Sequence, residues 1–382
     1  MEICVIYDCL FPWTIGGAER WYRALAEALA AEGHQVTYLT LRQWDTDNAP
    51  DIAGVQVVAV GPRMNLWTGG RRRIAPPLRF GLGVLLHMLR HGHRYDHVHC
   101  ASFPFFSLLA LGLVRPFARF TLGVDWHEVW TRDYWRSYLG RMGIIGWLVQ
   151  FLCAQVPQQG FAFSQLHARR LAGLGRVAIH LPGEYAGGAA ARMDAKTPPT
   201  LLYVGRLIPE KRVDLLVAAF ALALAEQPEL RLEICGDGPM RDAIAAQVAE
   251  LGLATQVDMM GFVDAAVLDR AMAEATVIIQ PSMREGYGMV VIEAAVRGVP
   301  AIVLAGEDNA ATELISAGEN GLIAQADAAS LAKAIIAVVD DGPAYRQRTA
   351  HWYAANAQAL SLDNSLEMVK AAIMQPATIE AL

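Results

Sequence analysis

The sequence is poor in cysteine and in charge. Its 382 residues include only five cysteines, which are odd in number, far apart and without CxxC spacing, a pattern that disfavours a disulfide framework. Charged residues make up 18% of the chain and hydrophobic residues 54%, which excludes a disordered protein and is ample for two cores. We therefore expect two globular domains with reduced thiols, as in a cytoplasmic protein.

Long apolar runs and targeting signals are also missing. The longest apolar stretch, residues 103–114, is too short to span a bilayer. Residues 1–5 lack the basic and apolar regions of a secretory signal peptide. We predict a cytoplasmic chain without a transmembrane helix.

Lysine is absent from residues 1–180, where 18 arginines and 12 acidic residues give a net charge of +6. The rest of the chain has a net charge of −12. A basic first half predicts an anionic partner, and no nucleic-acid motif accompanies the charge. We expect a phosphorylated acceptor, or peripheral contact of the basic N-terminal domain with the anionic inner face of a membrane. Arg71, Arg72 and Arg73 form either a solvated loop or, with Trp67, Arg79 and the apolar stretch Leu82–Leu89 nearby, a membrane-surface patch.

Short apolar runs alternate twice with amphipathic segments, which is typical of βαβ units around a parallel sheet. We predict an α/β protein of two facing Rossmann-like, doubly wound domains, with a C-terminal helix crossing back. Ligands bind such sheets at the carboxyl ends of the strands. The predicted regions are an N-terminal domain at 1–188, a linker at 189–199, a C-terminal domain at 200–345 and the crossing helical segment at 346–382. The predicted strands are 3–7, 35–40, 55–60, 97–100 and 120–124, then 200–204, 231–235, 257–260, 276–280 and 301–304.

The segment from Glu285 to Glu293 carries the strongest chemical signal. Its loop contains Gly286 and Gly288, which let backbone approach a ligand closely, and a helix is predicted from about Met289. The helix N-terminus offers N–H groups and positive dipole to a phosphate. Glu285 precedes the helix and Glu293 lies one turn into it, so both carboxylates can reach one ligand. The alternative is a helix start that merely favours acidic residues.

Three further loops follow predicted strands of the same domain. Arg206 and Lys211 follow the first strand, and together they can grip a diphosphate; a solvated charged turn is the alternative. Gly236 begins a glycine turn after the next strand. Phe262 and Val263 offer an aromatic ring and backbone to a base.

With these motifs in order, the chain resembles the family 4 glycosyltransferases, retaining enzymes of the GT-B fold. The resemblance is strong over 200–325 and weaker over 1–190. The motifs that carry it are Gly16-Gly17-x-Glu19, V-G-R-x(4)-K ending at Lys211, G-x-G-P at 236–239, G-F-V at 261–263 and E-G-x-G-x(4)-E at 285–293. Arg212 departs from the family, which commonly has glycine after the lysine.

The resemblance implies a role for each matched residue. Arg206 and Lys211 would hold the diphosphate of a UDP- or GDP-linked donor, and Glu285 would hydrogen-bond the transferred hexose. Glu293 would bind the ribose, and the loop of Gly16 and Gly17 would close over the phosphates. The remaining implied donor contacts are Gly236, Phe262, Val263, Gly286, Tyr287, Gly288, Met289 and Val290. The resemblance implies no cofactor and no metal, since the nucleotide sugar is a co-substrate, and the acceptor would be a glycan or a lipid-linked molecule.

In the first domain, His127 follows a predicted strand and matches the family histidine beside the donor sugar. The alternative is a histidine satisfied inside a loop. Nearby aromatic residues suit sugar stacking or a lipid-proximal acceptor, or belong to the core of a helix; they are Trp130, Tyr134, Trp135 and Tyr138.

Two patterns point weakly toward a metal. Asp45 and Asp47 have the Asp-x-Asp spacing of a different glycosyltransferase fold but lack supporting residues. His97 and His99 share one strand face, without a third ligand for zinc. We therefore predict that metal is not required.

Three other functions compete with a transferase. A nucleotide-sugar epimerase of the same fold would need no acceptor. A nicotinamide-dependent oxidoreductase is disfavoured because no GxGxxG follows the first strand. A catalytically silent, nucleotide-binding subunit is disfavoured because Glu285 and Glu293 are both present.

Overall fold

The computed structural model describes residues 1–45, 49–68, 71–187 and 194–375. The chain forms two units. The first is Met1–Glu184 together with the segment that begins at Leu362, and the second is Tyr185–Ser361. Both are built around parallel sheets, and the predicted α/β class with two Rossmann-like units is confirmed. Residues 188–193, in the predicted linker region, lie outside the described residues.

The first unit contains a seven-stranded parallel sheet in the order β3-β2-β1-β6-β7-β8-β9. Ile3, Cys4 and Val5 on the interior strand β1 are fully buried, because helices cover both faces of such a sheet. Its elements are β1 (Glu2–Ile6), α1 (Gly17–Ala31), β2 (Gln35–Leu41), β3 (Val55–Gly61), the hairpin β4 (Trp67–Thr68) and β5 (Arg71–Arg72), α2 (Ala75–His91), β6 (His97–Ala101), α3 (Phe105–Val114), β7 (Thr121–Trp126), α4 (Arg132–Leu139), α5 (Gly143–Gln155), β8 (Gln159–Ala162), α6 (Gln165–Ala172) and β9 (Ala178–His180).

The second unit contains a six-stranded parallel sheet in the order β12-β11-β10-β13-β15-β17. Strand order reverses between β10 and β13, and ligands of open α/β sheets bind beyond the strand ends at such a point. Its elements are β10 (Thr200–Val204), α7 (Val213–Glu226), β11 (Arg231–Cys235), α8 (Arg241–Glu250), β12 (Val257–Gly261), α9 (Ala265–Glu274), β13 (Val277–Gln280), β14 (Arg284–Glu285), α10 (Met289–Val296), β15 (Ala301–Leu304), β16 (Asp308–Asn309), β17 (Gly321–Ala324) and α11 (Ala328–Leu360).

Two helices end the described chain. The first, α11, is kinked at Gly342, whose φ is +48°, with Pro343 following, and it stays in the second unit to its end. The second, α12 (Leu362–Met374), belongs to the first unit and packs on α1, where Lys370 Nζ lies 2.6 Å from Glu32 Oε1. The predicted return of a C-terminal helix is therefore confirmed. None of the described helices combines the length and apolar character that a bilayer crossing requires.

Candidate functional site

The loop after β10 presents Arg206 from a fixed backbone. The hydroxyl of Tyr203 donates to the carbonyl of Arg206 at 2.9 Å, and Leu207 N–H donates to the carbonyl of Asp237 at 2.9 Å. The tyrosine is fully buried, whereas the Arg206 side chain is exposed. The loop therefore holds a guanidinium at the surface beyond the sheet edge while its backbone is anchored in the core.

The glycine turn after β11 packs directly against this loop. Gly236 has φ +148°, and a Cβ built on it would lie 1.8 Å from the carbonyl oxygen of Gly205. Its N–H donates to the carbonyl of Gly261 at 2.8 Å, which joins the turn to the end of β12. Phe262, next along the chain, is 88% exposed. Three strand ends are thus held together, with an exposed aromatic ring at the third.

Replacing Gly236 by alanine should lower the free energy of unfolding by at least about 2 kcal/mol, because strain at positive φ adds to a clash with backbone. Chemical denaturation of the purified variant measures this loss. Gly252→Ala is the control: its φ is +69°, and a Cβ there meets no atom within 4 Å. That change should cost only about 1 kcal/mol. Equal losses of unfolding free energy in the two variants would show that the clash between the added Cβ and the Gly205 carbonyl does not contribute.

Lys211 and Glu285 form an ion pair between the loops after β10 and β13. Lys211 Nζ lies 2.5 Å from Glu285 Oε1, and Gln280 Nε2 donates to the same oxygen at 2.7 Å. Burial raises the pKa of Glu285, but the charge and hydrogen bond of Lys211, with the hydrogen bond of Gln280, outweigh it and hold the pKa below its ordinary value. Glu285 is therefore an anion at neutral pH and acts as a hydrogen-bond acceptor.

A backbone hydrogen bond also joins the loops after β10 and β13. Met283 N–H donates to the carbonyl of Glu210 at 2.9 Å. Arg212, where the family commonly has glycine, has φ +46° and ψ +41°, and it is the only non-glycine residue with positive φ among the described residues. This left-handed conformation explains the family glycine, since glycine adopts it without a steric penalty. Arg212 adopts this left-handed conformation, and its Nε donates a hydrogen bond to Asp214 Oδ1 at 3.3 Å.

Helix α10 begins at Met289, as predicted, directly after the Glu285 loop. Gly288 precedes it with φ +109°, and a Cβ there would lie 2.6 Å from that of Ala311. Glu293 lies half-buried one turn into the helix, and Arg297 donates to its carbonyl at 2.6 Å. Of the other motif residues, Tyr287 is buried and Gly286 and Val290 are half-buried. The glycine at the helix start allows the close packing that brings this N-terminus beside the β13 loop.

In the first unit, His127 lies beyond the end of β7. Its ring stacks on Phe163 with centroids 4.4 Å apart, and its Nδ1 lies 3.7 Å from Glu184 Oε1. Burial lowers the pKa of His127, but the carboxylates of Glu184, Asp125 and Glu128 outweigh it and raise the pKa above its ordinary value. The His127 side chain is 27% exposed.

The Gly16 and Gly17 loop approaches the same carboxylate. A Cβ on Gly17 would lie 4.0 Å from Glu184 Oε2, and one on Gly16 would lie 2.3 Å from Glu19 Oε2. Gly16 is the N-cap of α1, so this loop opens onto a helix N-terminus. Glu184 therefore joins two predicted site segments that are more than 100 residues apart in the sequence.

Two residues near the predicted site were missed by sequence reasoning. Gln280 is the last residue of a strand that is otherwise apolar, and a polar side chain directly before a loop is a signal that could have been used. Glu184 has a weaker signal, because it simply follows Pro182 and Gly183 near the predicted linker. Both are recognised only by their contacts.

The residues considered for metal binding have structural partners. Asp45 pairs with Arg63 and is 81% exposed, whereas Asp47 lies outside the described residues. His97 Nδ1 lies 2.7 Å from Thr121 Oγ1, and His99 Nε2 lies 2.9 Å from Asp125 Oδ1. Within the described ranges, no group of three or more metal-ligating side chains is present.

The aromatic residues after His127 form one cluster. The ring of Trp130 lies 4.6 Å from Trp135, 4.8 Å from Tyr134 and 5.2 Å from Tyr138. Trp135 is buried, and the other three rings are half-buried. Trp135 therefore belongs to the core, whereas its three neighbours are partly accessible.

Comparisons with known proteins agree with this architecture. A family model described as Glycosyltransferase Family 4 matches residues 15–181, and one described as Glycosyl transferases group 1 matches residues 191–357. A glycogen synthase of Mycobacterium tuberculosis is 28% identical, over 95% of this chain and 91% of its own. The fold is similar to that of sucrose-phosphate synthase from Thermosynechococcus elongatus, with a TM-score of 0.77, 20% identity and 98% of each chain covered. Anabaena HepE, solved with UDP-glucose, gives a TM-score of 0.73 at 16% identity, with 98% of this chain and all of the other covered.

The two parallel-sheet units and the similar solved structures define the GT-B fold. The chain belongs to the family 4 glycosyltransferases, as its two family matches along most of its length show. It is therefore an enzyme that transfers a sugar.

Proposed function

We propose that the chain is a retaining, metal-independent hexosyltransferase that takes its sugar from a UDP- or GDP-linked donor. The observation that carries the proposal is the Lys211–Glu285 pair, which lies at the strand-order reversal of the second sheet with Arg206 in the same loop. Two cations there suit a diphosphate, and an ionised carboxylate suits sugar hydroxyls. The relatives support a nucleotide sugar, since one is named for GDP-mannose and one neighbour was solved with UDP-glucose.

In the proposed reaction, the bond between the sugar C1 and the β-phosphate oxygen breaks. The acceptor hydroxyl forms the new bond to C1 from the same face, and its proton passes to the departing phosphate. Arg206, Lys211 and the N-terminus of α10 stabilise the negative charge that develops on the leaving group. No side chain has to act as a strong base.

The remaining site residues take supporting roles. Glu285 orients the sugar by accepting its hydroxyl hydrogen bonds, and Glu293 holds the ribose. The backbone at Gly236, Phe262 and Val263 contacts the base of the nucleotide. Residues Gly286 to Val290 contact the rest of the donor. On the first unit, His127 contacts the transferred sugar and Gly16 and Gly17 contact the phosphates. The proposed acceptor is a glycan or a lipid-linked molecule, and the proposed location is the cytoplasm, in part at the inner face of the membrane.

A screen of UDP, GDP and their sugars tests the proposal. The correct nucleotide at about 100 times its Kd should stabilise the protein by about 2.7 kcal/mol, which a thermal-shift assay detects. The enzyme should then hydrolyse that donor slowly without an acceptor and transfer the sugar when an acceptor is added. NMR of the product should show that the anomeric configuration of the donor is retained. Interconversion of nucleotide sugars without an acceptor would favour the epimerase instead.

Donor hydrolysis should be unchanged by EDTA, because Arg206 and Lys211 supply the positive charge that a divalent ion provides in metal-dependent enzymes. The rate is measured after chelation and again with added manganese. Complete loss with EDTA and recovery with manganese would overturn the assignment and bring Asp45 and Asp47 back into consideration.

A further inference from the structure

Helix α2 of the first unit exposes a row of apolar side chains. They recur every three or four residues and so lie on one face of the helix and its N-cap. Each is between 45% and 65% exposed; they are Ile74, Leu78, Leu82, Leu86 and Leu89. Phe80, Val84 and Met88 of α2 are buried in the core, so the exposed row is a second apolar face of the same helix.

Two neighbouring helices extend this surface. Helix α3 packs against both α2 and α5, and its end is exposed at Leu113, with Phe117 just beyond it 83% exposed. On α5 four residues, 45–56% exposed, continue the pattern: Ile144, Ile145, Leu148 and Leu152. We call these exposed side chains of α2, α3 and α5 the apolar face. Scattered exposed leucines are ordinary, but a surface shared by three adjacent helices is typical of an interaction site.

The charges around the apolar face are predominantly positive. Residues 52–183 contain 15 arginines and only four acidic residues, and the segments 52–95 and 134–183 contain no acidic residue at all. Exposed arginines flank the three helices; they are Arg79, Arg90, Arg119, Arg136 and Arg141. An apolar surface bordered by arginine matches the acyl and headgroup layers of an anionic bilayer. A second copy of the chain matches poorly, because it would bring two arginine borders together.

We propose that the apolar face inserts shallowly into an anionic lipid surface, with α2, α3 and α5 lying against the membrane. The sequence predicts a patch of Arg71–Arg73 with the nearby Leu82–Leu89 stretch that binds mainly through charge, whereas the contact proposed here is carried by buried apolar area on three helices and strengthened by charge. High salt should therefore weaken the binding without abolishing it.

The same surface adjoins the proposed acceptor region. Arg132 lies 3.8 Å above the ring of Trp147 on α5, and the Trp130 cluster on and beside α4 packs against α5. In sequence order, His127 is followed by the accessible rings of the Trp130 cluster and then by α5, which carries part of the apolar face. A lipid-linked acceptor would be presented there from the membrane, a point that rests on the proposed function, whereas the membrane contact itself does not.

Co-flotation of the full chain with vesicles tests the insertion. Phosphatidylcholine vesicles with and without phosphatidylglycerol are compared at low and high salt. The test variant is Leu82→Gln/Leu148→Gln, at positions 46% and 45% exposed. The matched control is Leu222→Gln/Leu251→Gln in the second unit, at positions 49% and 45% exposed. The test variant should partition into phosphatidylglycerol vesicles at least about tenfold more weakly than the parent, and the control should partition equally.

Three results would overturn the proposal: equal partitioning of test variant and parent, complete release of the parent by high salt, or no vesicle binding at all. In the last case, a dimer in sedimentation velocity that the test variant abolishes would identify a second copy as the occupant. Thermal shift with the donor nucleotide is measured on every variant. Absence of a nucleotide-induced thermal shift would count against the proposed function. A thermal shift without vesicle binding would count only against the membrane contact.

Discussion

Replacing Arg206 or Lys211 by alanine should lower kcat for donor hydrolysis by about 10²–10³, which corresponds to about 2.7–4 kcal/mol of lost transition-state stabilisation. The leaving diphosphate gains negative charge as the bond to the sugar breaks, and these two cations share one loop at the strand-order reversal. Loss of Lys211 has a second consequence, because Glu285 would keep a largely buried carboxylate without its 2.5 Å partner. Single-turnover kinetics with saturating donor measure the effect on the chemical step.

Arg212→Ala is the matched control. Arg212 is the next cation along the chain and contacts Asp214, so its removal should change kcat only mildly. Glu293→Ala should act mainly on donor affinity, because the proposed role of Glu293 is at the ribose and away from the reacting bond. If Arg212 were essential and Lys211 dispensable, the assignment of the motif would be wrong by one residue. If neither Arg206 nor Lys211 mattered, the proposed mechanism would fail.

Asp125→Ala should destabilise the first unit by about 3–5 kcal/mol, because it leaves a buried network without its central acceptor. Asp125 is fully buried, accepts a 2.7 Å hydrogen bond from Trp21 Nε1 and lies 2.9 Å from His99 Nε2. Burial raises the pKa of Asp125, but His99, His127 and Trp21 outweigh it and hold the pKa below its ordinary value. The carboxylate's contribution is therefore fully present at neutral pH and is lost only as pH falls through that lowered pKa.

Urea denaturation followed by tryptophan fluorescence measures this loss selectively, since eight of the nine tryptophans precede residue 185 and only Trp352 lies in the second unit. Asp133→Ala is the control: Asp133 belongs to the same unit, is 95% exposed and lies 3.8 Å from Arg136. Its removal should leave the midpoint unchanged. A similar midpoint for the two variants would show that the buried network does not stabilise the unit.

Prediction of strand bounds is most accurate in the second unit. Thr200–Val204, Arg231–Cys235 and Ala301–Leu304 have the predicted bounds. The sequence analysis does not predict β8, β9 and β17 of the two main sheets, because each has four residues or fewer and includes glycine or alanine, a weak local signal. They exist because neighbouring parallel strands offer them hydrogen bonds, which is a tertiary effect.

Helix continuity was also harder to predict than helix position. Residues from 346 onward were expected to leave the second domain, yet α11 remains in the second unit and the change occurs between Ser361 and Leu362. The helical conformation is interrupted at Gly342, which has φ +48° and ψ −124° and precedes Pro343, and α11 packs against α7. The helix therefore breaks where the local signal predicts, whereas the chain remains in the second unit up to Ser361.

The sequence by itself determined the α/β class, the family and the motifs from Val204 to Glu293, because these depend on residue type and spacing along the chain. Only the tertiary structure decided that Lys211 lies against Glu285, that Glu184 lies between His127 and Gly17, and that Arg212 is left-handed. It also decided which leucines are exposed, since an apolar helix has the same sequence pattern whether its face meets a core or a membrane. Spacing is encoded locally, whereas contacts between distant residues arise only when the sheet brings strand ends together.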